Sequence, residues 1–85
     1  MITGAQMRAS RALLGIDQRD LAALSTLSLP TIQRMESSEG PVRGTVESLT
    51  KVVEALERSG IELIGESAPS AGQGRGVRLM KPVKK

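Results

Sequence analysis

Apolar positions recur at helical spacing along the first sixty residues of this chain, and the period changes after Gly60. Met7, Arg11 and Leu14 share one helical face. Thr3 and Gln6 stand before them at capping-box spacing and Gly15 follows them, so the pattern predicts a first helix from about Gly4 to Leu14. Asp17 and Ser28 are each placed to cap a short helix with a side-chain oxygen, and Leu21, Leu27, Ile32 and Met35 supply apolar contact between the two helices so capped. The small Ala22 permits their close approach. Pro30 falls in a first helical turn, where its missing N–H breaks no bond. Residues 37–44 are rich in helix breakers and read as a loop. Thr45 then caps a fourth helix whose Leu49, Val52, Val53 and Leu56 form an i, i+3, i+4, i+7 stripe, ended by Gly60.

Two short apolar-rich segments follow, Ile61–Ile64 and 77–80, both compatible with strands and separated by a linker of small residues at 65–76. An antiparallel pair would bring Glu62 close to Arg78. So long a connection makes a lone hairpin marginal unless it docks on helices or is extended by a second chain, and a sheet completed across a two-fold dimer is the expectation. A fifth helix is disfavoured by the glycines. The expected fold is mainly α: a compact four-helix unit over residues 1–60, and a strand pair with linker and basic tail over 61–85. Leu13 and Leu24 fall outside the helical core pattern. They lie under the strands, at a partner contact, in an extension of the core, or singly on the surface.

Composition narrows the chemistry. With 85 residues the core is small, and without cysteine or histidine the chain lacks disulfides, thiol nucleophiles, imidazole triads and the usual zinc sets, so neither a metal site nor a catalytic site is expected. GQGRG resembles a phosphate loop only in its glycines, since no helix follows it, and it reads as linker; no cofactor is expected. The absence of Phe, Tyr and Trp argues against single-strand binders that stack bases on aromatic rings, whereas duplex DNA needs no such platform. No apolar run approaches the roughly 20 residues that cross a bilayer, so the expectation is a cytoplasmic protein without membrane contact. Net charge is +3, unevenly spread. Residues 1–66 carry seven basic and nine acidic side chains, while 67–85 carry Arg75, Arg78, Lys81, Lys84 and Lys85 and no acid. Attraction to phosphate would then come from locally clustered arginines, the tail, or both.

With Ile32 and Met35 inward, Pro30, Gln33, Arg34 and Ser37 occupy the opposite face of the third helix, and Leu29 and Thr31 its N-terminal edge. Such a face can read bases. Gln33 suits adenine, Arg34 suits guanine or a phosphate, Leu29 or Pro30 suits a thymine methyl, and Thr31 suits a base edge or a phosphate. For each residue the alternative is a solvated polar helix face. Phosphate contacts are expected from Gln18 at the start of the second helix, from Ser28, and from Arg8, Arg19 and Arg43.

Gln18, Leu21-Ala22, Leu27-Ser28, Ile32 and Glu36 stand in register with the helix-turn-helix of the phage lambda repressor and Cro (XRE) family, which the first two-thirds of the chain resembles. The chain departs from that pattern at Thr26, where many members carry glycine; the turn there either tolerates strain or takes another geometry. The resemblance implies a compact helical DNA-binding fold and a structural ion pair between Arg11 and Glu36. It also implies a regulator, most simply a repressor, that binds double-stranded DNA as a homodimer on an inverted repeat, with half-sites about 34 Å apart. The competing expectation is an antitoxin or adaptor that holds a protein partner such as a toxin through the C-terminal strands or tail, with DNA binding autoregulatory or absent. An enzyme has little support.

Overall fold

The computed structural model describes residues 2–65 and 74–80. Most of the linker and the tail lysines Lys81, Lys84 and Lys85 lie outside the described residues. The elements follow one another as α1 (Gly4–Leu14), α2 (Gln18–Ser25), α3 (Leu29–Glu36), α4 (Val46–Arg58), β1 (Ile61–Ile64) and β2 (Gly76–Leu79). The fold is mainly helical, with one antiparallel strand pair.

Each helix begins where a short polar side chain satisfies a free backbone N–H. Thr3 and Gln6 form a reciprocal capping box on α1, Asp17 and Asp20 do the same on α2, and Ser28 and Thr45 cap α3 and α4. Inside, Met7, Leu21, Ile32, Met35, Val52 and Leu56, drawn from all four helices, are completely or almost completely buried. Each contributes about 1.5–3 kcal/mol relative to an exposed position, the main driving force in a core without a single ring. Ile2, Val42 and Ile61 close the ends of this core. The loop after α3 is tied to the N-terminus by the Val42 N–H to Ile2 carbonyl bond of 3.0 Å.

The turn between α2 and α3 tolerates the strain that its sequence suggests. Thr26 is the one non-glycine residue with positive φ among the described residues, at φ 57° and ψ 34°. A β-branched side chain there costs roughly 1–2 kcal/mol. The Thr26 hydroxyl donates to the Ser25 carbonyl at 2.6 Å, and the Leu27 N–H closes the helix on Ala22 at 3.0 Å.

β1 and β2 pair antiparallel within the chain, with Glu62 opposite Arg78 and their side chains in an exposed ion pair of 3.0 Å. The second strand begins one residue earlier than its apolar pattern predicts. Gly76 sits opposite Ile64, and the Met80 N–H reaches the Gly60 carbonyl beyond the strand's end. The hairpin is docked on helices. Gln6, whose Oε1 accepts from the Thr3 N–H at 2.9 Å, also donates through Nε2 to the carbonyls of Ile64 (3.1 Å) and Gly76 (2.9 Å). One side chain thus closes a helix cap and holds both strands. Leu63 and Val77 pack against the core, whereas Leu13 and Leu24 stay nearly half exposed and are not covered by the strands.

Candidate nucleic-acid interface

α3 is short, eight residues, capped locally at its start and anchored by other helices at its end. At its start Ser28 accepts from the Thr31 N–H at 3.3 Å and Pro30 occupies the first turn. At its end Glu36 is almost fully buried, and its carboxylate takes two hydrogen bonds from Arg11, Nε to Oε2 at 2.7 Å and Nη2 to Oε1 at 2.8 Å. Gln18 adds a third, from Nε2 to Oε1 at 3.0 Å. The planar guanidinium fits the carboxylate in a two-point fork, a geometry an ammonium could not supply. Hydrogen bonding to Glu36 raises the Arg11 pKa above its already high ordinary value, against the opposing effect of burial.

The backbone of the same residue is held as well. Arg8 donates through Nη1 to the Glu36 carbonyl. Gly4 lies so close to this end of α3 that a Cβ on it would stand 2.6 Å from the Glu36 carbonyl oxygen and 2.8 Å from that of Ser38. Only a residue without a side chain lets the start of α1 approach the end of α3 this closely.

Between these ends Ile32 and Met35 face the core, and Gln33 and Arg34 face outward. Among the described residues neither outward side chain has a hydrogen-bond or ionic partner. Pro30 and Ser37 are exposed beside them, while Leu29 and Thr31 are half-buried at the N-terminal edge. The hydroxyls of Ser28 and Thr31 lie 2.9 Å apart and bond to each other, which uses one of their two O–H groups as donor and leaves the other free. Arg19 and Arg43 are exposed, one on α2 and one in the loop before α4.

Three expected roles change in character. Arg8 spends one guanidinium nitrogen on the Glu36 carbonyl, and Gln18 spends its amide N–H on the Glu36 carboxylate, so both act first as braces of α3. Gln6, read from sequence as a cap alone, also anchors the strands. Spacing offered no signal for Gly4, because its constraint comes from a helix more than thirty residues away.

Asp17 carries a fully exposed carboxylate at the start of α2. Its pKa is lowered, chiefly by the backbone N–H of Asp20, with the Asp20 side chain and Arg19 acting in the same direction. Among the described residues no group of three or more acidic side chains is placed to hold a metal ion, and no helix is long and apolar enough to cross a membrane. No family model matches this chain, and no curated protein matches it either.

Proposed function

We propose that this protein is a sequence-specific DNA-binding transcriptional regulator, acting in the cytoplasm as a homodimer on an inverted repeat and most simply as a repressor. One observation carries the reading: Gln33 and Arg34 stand exposed and unpartnered on a helix whose opposite side is buried and whose C-terminal residue is fixed through both side chain and backbone. Base recognition needs polar groups held in a rigid frame, since a mobile side chain loses in ordering entropy what it gains in hydrogen bonds. Arg19 and Arg43, with the one O–H that the Ser28 and Thr31 pair leaves free, supply contacts to the DNA backbone that set register without reading sequence.

Selection of bound fragments from random duplex DNA tests this. Enrichment of a two-fold symmetric site, with half-site centres about one helical turn apart, is the expected result. Recovery of duplexes without any common sequence would overturn the proposal.

A further inference from the structure

α4 leaves part of its apolar surface uncovered: Val46 is exposed, and Leu49 and Val53 are only partly buried against the core. Val52, Ala55 and Leu56 are buried, but Val46, Leu49 and Val53, at i, i+3 and i+7, form a second row beside them. With Ile2 this row lines an open cleft of about 440 Å³, bordered by Glu54 and Glu57. A smaller hollow of about 250 Å³ shares Ile2, Val53 and Glu57 and extends the cleft toward Leu63. Val46, at the N-terminal end, is 81% exposed, the most exposed large apolar side chain among the described residues.

We propose that a second copy of this chain fills the cleft, with the two α4 helices packed antiparallel about a two-fold axis near Leu49 and Thr50. A two-fold contact requires a patch complementary to itself, and the charges along α4 meet that condition. The acids Glu54 and Glu57 border the C-terminal half. The N-terminal end offers the free N–H groups of the first turn and, outside the cleft lining, the exposed Arg43 shortly before it; the first-turn acid Glu47 does not line the cleft and is paired with Lys51 at 3.6 Å. Antiparallel packing sets the acidic end of each copy on the positive end of the other and brings Val46 onto the partner's Val53. Parallel packing would set acid on acid. The chain's own linker is a poorer occupant, since residues 66–73 contain only alanine and proline as apolar residues, too small for a row of valine and leucine.

The proposal deepens the homodimer reading and rests on it for the operator alone, because self-association is measured without DNA. Sedimentation equilibrium of the full chain from about 1 to 100 µM, in wild type and Val46→Glu, is the test. Wild type is expected to dimerise within that range, and Val46→Glu to weaken the dimer by at least about tenfold with an unchanged helical circular dichroism spectrum. Glu57→Arg is expected to weaken the dimer and Arg43→Glu with Glu57→Arg to restore it. A monomeric wild type throughout, or a Val46→Glu dimer of undiminished affinity, would overturn the interface. A Val46-sensitive dimer that selects no DNA sequence would support the interface while overturning the DNA reading, so the two failures are told apart.

Discussion

At the C-terminal end of α3, a buried carboxylate and its own carbonyl gather Arg11, Gln18 and Arg8 from two other helices, whereas at the N-terminal end Ser28 and Thr31 bond to each other in the open. The first end holds its groups in a low-dielectric setting where a missing partner leaves a charge stranded. The second keeps its groups wet, so that each loss costs little and each spare donor or acceptor stays available. A short helix held firmly at one end and left open at the other presents its middle turn, Gln33 and Arg34, in a defined direction. The Thr26 turn belongs with the open end: it stores a small strain instead of burying a polar network.

This contrast predicts a steep gradient of mutational effects. Arg11→Ala should be the most severe, because it strands Glu36 with only Gln18 for company. The cost should be about 3 kcal/mol, the low end of the range for a broken buried pair, since Arg11 keeps 20% of its side chain exposed. Urea denaturation measures it, and an unchanged midpoint would show that the pair bears no weight. Gly4→Ala should follow at about 1–3 kcal/mol, because the new methyl meets backbone and not a flexible side-chain tip. Equilibrium unfolding of that variant should show loss of stability despite the better helix propensity of alanine; a gain would mean that α1 and α3 can separate freely.

At the open end the effects should be smaller and one should reverse sign. Thr26→Gly relieves the left-handed strain but adds unfolded-state freedom, so a net stabilisation of about 0.5–1 kcal/mol is expected in thermal melts. Asp17 should give the smallest effect, visible only in acid. Its folded pKa is depressed, so its contribution to stability is fully present above the unperturbed value of about 3.9 and is lost as pH falls through the lower folded value. Asp17→Asn should remove that part of the acid sensitivity, and a melting temperature with unchanged pH dependence would show that the cap contributes none of it.

The helices were legible in the sequence because their signals are local. Thr3, Asp17, Ser28 and Thr45 lie within three residues of the N–H groups they cap, and the apolar spacing from Leu21 to Met35 names the buried faces directly. The Glu62 and Arg78 pairing was equally readable once two short strands were assumed antiparallel. What escaped were contacts joining distant parts of the chain through groups that look ordinary in isolation. Gln6 meets carbonyls 58 and 70 residues away, Arg8 a carbonyl 28 residues away, and Gly4 a backbone that no periodicity can announce. For the candidate site, spacing placed Gln33 and Arg34 outward on one helix face. It did not show that Gln18 and Arg8 are engaged in bracing that helix.

The central claim is that a braced α3 reads DNA bases through Gln33 and Arg34. Its most direct test compares the affinity of wild type and of Gln33→Ala/Arg34→Ala for a selected duplex and for an unrelated one, each across a series of salt concentrations. The double substitution should collapse the preference between the two duplexes while residual, salt-sensitive binding persists through the other cations. A variant that keeps the wild-type preference and loses only part of the salt dependence would contradict the account.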